Sequence, residues 1–226
     1  MNGRKVLLLV ASPRGAASVS NSLGDHLLAL LEARGMAIKK LLLYPALTDE
    51  RRLAELLAAV DACALLVVAF PLYVDHLPAP LIDLLRQVAD RRQGKTGEAR
   101  QSLVALVQCG FPETAHCRPA GEIMRLFAAQ AGFRFLGCLA FGMGGAVGNR
   151  PLAKAGGIVR HQVKALAAAA PFLAAEKEVP AEVVDLMGRK MMPRWFYSWM
   201  ADLGWKRQAR KFKTSDRLRE TPYADS

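Results

Sequence analysis

Along most of this chain, short runs of unbroken apolar residues alternate with segments in which apolar residues recur every three or four positions. Residues 5–11 (Lys5-Val6-Leu7-Leu8-Leu9-Val10-Ala11) are such a run, and 38–43, 62–70, 102–109 and 133–141 follow it. Between them, 21–34, 49–60, 78–91 and 119–131 carry the helical period, and a long alanine-rich stretch ends near residue 175. Short continuous apolar runs predict strands and the three-to-four spacing predicts helices, so the chain reads as repeated βα units. Strands apolar throughout are buried on both faces, which predicts a parallel sheet between two helical layers.

Five βα units fit a flavodoxin-like three-layer sandwich, with a five-stranded parallel sheet of order 2-1-3-4-5. They fit a dinucleotide-binding half with an addition equally well. In either arrangement a ligand sits beyond the carboxyl ends of the strands, at the switch point between the first and third. The loops after residues 11, 70, 109 and 141 therefore hold the candidate chemistry.

The first of these, Ser12-Pro13-Arg14-Gly15-Ala16-Ala17-Ser18-Val19-Ser20-Asn21-Ser22, joins a strand to a helix start. Unpaired amides and the positive end of the helix dipole converge there on an anion. It lacks G-x-G-x-x-G, and no acid ends the second strand at Leu42-Leu43-Tyr44, which disfavours a classical dinucleotide. Ser12, Ser18, Ser20, Asn21 and Ser22 offer donors to a terminal phosphate, and Arg14 a charge-assisted bond. The alternative is that Ser20 or Asn21 is an N-cap and the rest a solvated turn.

The loop after the third strand, Phe70-Pro71-Leu72-Tyr73-Val74-Asp75-His76-Leu77-Pro78-Ala79-Pro80, is apolar where a surface loop is usually polar. It suits a flat ring needing backbone polar groups at its edge and apolar surface on its faces. Alternatively Tyr73 and Leu77 cap the core while Pro78 starts a helix. In Cys109-Gly110-Phe111-Pro112-Glu113-Thr114-Ala115-His116-Cys117, Gly110 permits close approach to the backbone. His116 is a candidate for proton transfer, although loop histidines more often serve as solvated or capping residues. Cys109 and Cys117 read as small packing residues in preference to redox thiols. The glycine-rich 142–149 is flexible enough to close over a ligand or bend towards a partner subunit.

Composition narrows this further. In 226 residues, 52% of them hydrophobic, no run approaches the roughly 20 apolar residues of a spanning helix. The first residues read as a strand and not as a signal peptide, so a cytoplasmic protein is expected. Cys63, Cys109, Cys117 and Cys138 show no C-x-x-C pair, and the four histidines show no ligand spacing, which does not suggest a disulfide framework and disfavours iron–sulfur and zinc sites. The net charge of +11 favours anionic partners. These are a phosphorylated cofactor, an acidic lipid or nucleic acid, and charge alone does not choose among them; taken with the loops, the expectation is a phosphorylated cofactor, peripheral membrane contact through the C-terminal segment, and no nucleic acid.

In Ser12-Pro13-Arg14 with Ser20-Asn21-Ser22, in Pro71-Leu72-Tyr73 with Pro78, and in Cys109-Gly110-Phe111-Pro112-Glu113, the chain resembles the NADPH-dependent FMN reductase-like branch of the flavodoxin-like superfamily, the NAD(P)H-dependent oxidoreductases. The likeness runs from about residue 4 to about 175. It implies FMN with its phosphate on Ser12, Arg14, Ser20, Asn21 and Ser22. The ring would lie among Pro71, Leu72, Tyr73, Val74, Cys109, Gly110 and Phe111. It further implies NADPH or NADH as co-substrate, a homodimer, and ping-pong reduction of a quinone, a nitro or azo compound, or free flavin. No catalytic residue and no metal ligand is assigned. A non-enzymatic flavodoxin-like electron carrier is the runner-up; docking on basic partners calls for an acidic protein, and the charge argues against it. A flavin-free binding protein of the same fold is the third reading.

The domain so expected spans 1–175, and 176–226 is expected as a basic, aromatic-containing helical extension. Trp195, Phe196, Trp199, Met200 and Leu203 recur at helical spacing and lead into Lys206, Arg207, Arg210 and Lys211. Such a stripe packs on its own domain or on a second subunit in the commoner case, and on a membrane surface in the other.

Overall fold

The computed structural model describes residues 4–93, 101–148 and 150–221. In chain order the elements are β1 (Lys5–Val10), α1 (Val19–Glu32), β2 (Ala37–Leu42), α2 (Leu43–Ala46), α3 (Glu50–Ala62), β3 (Leu65–Pro71) and α4 (Ala79–Arg92). There follow β4 (Ser102–Gln108), α5 (Arg118–Gln130), β5 (Arg134–Phe141), α6 (Gly144–Val147), α7 (Arg160–Ala174), α8 (Ala181–Met187) and α9 (Arg194–Lys211). Five parallel strands pair in the order β2-β1-β3-β4-β5, so the expected topology is present.

Successive strand residues face opposite sides, and this splits the core in two. Leu8, Val67 and Leu106 lie with α1, α7 and α8, whereas Leu7, Val68 and Ala105 lie with α3, α4 and α5. The central β3 is buried at every position, as its unbroken apolar run demands. The edge strand β2 is largely exposed and carries Lys39 and Lys40, charges that block pairing with another chain. Lys39 pairs with Glu55 of α3 at 2.9 Å and Lys40 with Asp25 of α1 at 2.7 Å.

Gly24 sets how closely α1 lies on the sheet. A Cβ there would stand 2.6 and 2.8 Å from the two δ-carbons of the buried Leu8, and 3.2 Å from its Cγ. The helix is thereby seated with its first turn against the carboxyl end of β1.

The chain divides into two compact units, Met1–Met191 and Met192–Ser226. The first therefore runs past residue 175, where the sequence ends its βα rhythm. The cause is α8: Val183 and Met187 are buried in the same core as α7, and the Val179 N–H donates to the Leu136 carbonyl at 2.8 Å. The glycine-rich segment is also more structured than a loop, since it holds α6 and is followed by single turns at Leu152–Lys154 and Gly156–Val159; Asn149 lies outside the described residues.

The second unit consists of α9 and a short turn at Ser215–Arg217. Among the described residues no helix is long and apolar enough to cross a membrane.

Candidate functional site

β1 delivers the first loop to the carboxyl edge, and the Ala11 N–H still donates to Ala69 of β3 at 2.8 Å. Ser12 follows, buried. The loop then turns tightly at Gly15, whose φ of 52° lies in the left-handed region that suits glycine. Gly15 N–H donates to Ser12 O, Ala17 N–H to Arg14 O and Ser18 N–H to Gly15 O, so that Gly15–Ala17 form a turn of 3₁₀ helix. Ser18 is the N-cap of α1; its hydroxyl accepts from the Asn21 amide at 3.1 Å and donates to Gly15 O at 2.6 Å.

That arrangement sorts the residues expected at a phosphate. The Asn21 side-chain amide donates to Asp25 and to Ala16 O, its carbonyl accepts from Lys40, and the Ser22 hydroxyl donates to Arg150 O. Both residues line a cavity of about 280 Å³ with Ala16, Ser18, Asp25, His26 and Leu152. Arg14 stands exposed at the turn. Ser20 is different: it is wholly buried in the first turn of α1, and its hydroxyl has no hydrogen-bond partner. A buried unpartnered hydroxyl costs about 1–3 kcal/mol, and it sits where Val19 and Ser20 carry the first amides of the helix, which no helical carbonyl accepts.

The other loops join into one surface beside it. Leu72 N–H donates to Gln108 O at 2.8 Å, which ties the β3 loop to β4. Met143 N–H donates to Phe111 O and Gly144 N–H to Cys109 O, which ties the β4 loop to the segment after β5. Gly144 packs so closely on Gln108 that a Cβ would lie 2.1 Å from the side-chain oxygen. Asp75 and His116 pair at 3.2 Å, and the His116 ring lies 4.5 Å from that of Phe111, so the β3 and β4 loops are bridged. His116 thus has a carboxylate partner, which its position in the sequence does not reveal.

Within the β3 loop Tyr73 and His76 exchange backbone hydrogen bonds around Val74 and Asp75, both with positive φ (48° and 58°). A two-residue turn of this kind normally takes Asn-Gly; Val74 is β-branched, fully exposed and strained. Leu77 does cap the core and Pro78 does precede α4, but Tyr73 stays 45% exposed. Tyr44, which the sequence reading passes over, lies near Tyr73, and partial burial together with that neighbour raises its hydroxyl above the ordinary tyrosine range.

Cys109 is buried, with its sulfur turned to Phe111 O and Glu113 O. The Cys117 thiol donates to it, holding Cys109 below the usual thiol range, while the same bond and burial push Cys117 up. By contrast Phe111 is 53% exposed, and a Cβ built on Gly110 would meet nothing within 4 Å. Next to the Tyr73 turn, then, lies an open backbone position flanked by an exposed aromatic ring. Pro71 is buried at the strand end and Leu72 partly so.

No protein-family model and no curated protein matches the chain. Solved structures do. An FMN-dependent NADH-azoreductase from Bacillus anthracis, solved in complex with FMN, aligns over 76% of this chain and 99% of its own at 14% identity and a TM-score of 0.56. The NAD(P)H:quinone oxidoreductase of Methanothermobacter marburgensis aligns over 76% and 96%, at 15% identity and a TM-score of 0.56. The Trp repressor binding protein of Bacillus subtilis aligns over 72% and 95%, at 15% identity and a TM-score of 0.52. The fold is flavodoxin-like. In a flavodoxin-like sheet of this order the switch point lies between β1 and β3, which is where Ser12 and the Tyr73 turn emerge.

The described residues fit a flavin mononucleotide at both ends of its length. Ser20 has a buried hydroxyl without a partner in the first turn of α1, the polar group available there for a phosphate, and Tyr73 and Phe111 have exposed aromatic surface for the ring beside Gly110, where a Cβ would meet nothing within 4 Å. Among them no three His, Cys, Asp or Glu side chains gather as a metal site.

Proposed function

We propose that this protein is an FMN-dependent NAD(P)H oxidoreductase that reduces a small acceptor such as a quinone, an azo or nitro compound, or free flavin. The observation that carries the reading is the Ser20 hydroxyl, buried without a partner at the head of α1 beside the switch point of the sheet. The flavin-containing structure that shares the fold supports it. A bound flavin would supply the hydride-transfer chemistry between nicotinamide and acceptor.

The chain's own residues bind and orient. Ser12, Ser20 and the first amides of α1 would hold the phosphate, with Arg14 as the nearby cation. Tyr73 and Phe111 shield the ring from water, and the Asp75–His116 pair keeps their two loops at a fixed spacing.

Anaerobic mixing of the FMN-reconstituted protein with NADPH and with NADH tests the proposal. The visible flavin band should bleach within seconds and return on addition of a quinone or azo dye. A band that persists for minutes with both nucleotides overturns it.

A further inference from the structure

We propose that α9 is a membrane-surface helix that docks on anionic lipid. Trp195, Phe196, Trp199, Met200 and Leu203 follow one another at three- and four-residue spacing and so share one side of the helix. Lys206, Arg207, Arg210 and Lys211 continue along that same side at the same spacing. The stripe thus changes from aromatic to cationic part-way along; Asp202 is the only acid in the helix and pairs with Lys206 at 2.7 Å, which leaves Arg207, Arg210 and Lys211 as the cations of the stripe with no acid in the helix.

Within the second unit these side chains have no core to enter. Ala209 is the one buried residue of α9; Trp195 and Trp199 are 72% and 55% exposed. The rings of Trp195, Phe196 and Trp199 instead contact one another, at centroid distances of 5.6 and 5.8 Å. The helix is not long and apolar enough to span a bilayer.

An anionic bilayer surface satisfies both halves at once. Indole rings settle at the headgroup level, with apolar body inward and N–H to water, and each nearby Lys or Arg gains from the negative lipid charge. An acidic protein surface would satisfy the basic half alone and leave the indoles in water. Lys213, just past the helix, extends the basic run.

The protein has three tryptophans, all in α9, so its indole emission reports on this helix only: Trp195 and Trp199 lie on the stripe and Trp205 on the opposite side, so the shift expected comes from the first two. The experiment titrates the full chain with vesicles of phosphatidylcholine containing one-quarter phosphatidylglycerol, and with pure phosphatidylcholine, following emission and co-sedimentation. The expected result is a blue shift and sedimentation with the anionic vesicles only, reversed by high salt. Combining Lys206→Glu, Arg207→Glu, Arg210→Glu and Lys211→Glu should weaken binding by roughly a hundredfold or more. Should that variant not fold, the salt dependence of the native chain remains the test. Absence of binding to anionic vesicles, or binding indifferent to salt, overturns the proposal. So does emission already blue without lipid and unmoved by it, which would assign the stripe to a protein surface; light scattering then separates a second copy from the chain's own first unit.

Discussion

Gly110 has backbone where most residues would have a side chain in the way. Because the space over it is open and its φ is not positive, Gly110→Leu should leave stability within about 0.5 kcal/mol of the native value, as measured by urea unfolding. The added side chain would occupy the place we assign to the ring, so FMN affinity should fall roughly tenfold or more, the equivalent of about 1–3 kcal/mol of overpacking. Unchanged FMN affinity would move the ring elsewhere. Ser12 and Gly110 stand out in the sequence as candidates because each directly follows an apolar strand. The local partners of Asn21 and Ser22 do not show there, because spacing alone does not tell that Ala16-Ala17 fold into a 3₁₀ turn. That turn makes Ser18 the N-cap, which leaves Asn21 inside the helix facing Asp25 and Lys40. The Val74-Asp75 turn was hidden for a different reason, since it contains neither the glycine nor the asparagine that marks such turns.

At the scale of elements, β4 and β5 lose register between Leu103 and Val104, where Leu103 pairs with Phe135 but Val104 with Gly137. Leu136 is the extra residue of a bulge; it stays buried, and its carbonyl accepts from Val179. Gly137 makes this possible with a φ of 134°. Gly137→Ala should therefore cost about 1–3 kcal/mol in urea unfolding through backbone strain, since its Cβ would meet Val179 only at an ordinary 3.6 Å. A loss below about 0.5 kcal/mol would show that the bulge relaxes. The bulge was not legible: an isolated glycine in a strand announces one only weakly, and residues 133–141 still read as a plain strand. The central strands and long helices were legible because burial on two faces or on one leaves an unmistakable period. α8 was not, because a seven-residue helix that buries only Val183 and Met187 carries too few periodic positions.

Over the whole molecule, the buried thiols tie stability to alkaline pH. Burial pushes Cys63 and Cys138 up to about 12, and Cys117 is raised as well. A group whose folded pKa exceeds its unfolded one holds its proton more tightly when folded, so its contribution is complete below the unfolded value near 9 and fades as pH rises from there towards 12. Stability from urea unfolding should accordingly decline above about pH 9, and Cys63→Ala, which removes the thiol without adding volume, should make the decline shallower. An unchanged slope would show that Cys63 ionises as readily in the folded state. The net charge of +11 reads in the sequence as a preference for anionic partners, and the two proposals assign that preference to a phosphate at the head of α1 and to lipid along α9. The central claim is the first of these, that the unpartnered Ser20 hydroxyl awaits a flavin phosphate. Titration of free FMN with the native protein and with Ser20→Ala, read by quenching of flavin fluorescence, tests it directly. The account predicts saturable quenching by the native chain and an affinity roughly 10- to 100-fold weaker in the variant, as expected for one hydrogen bond to a charged group, with unliganded stability no lower. No saturable quenching by the native protein would mean that the turn through Ala16-Ala17 shuts the site, and equal affinity in the two would mean that the phosphate is held elsewhere; either result contradicts it.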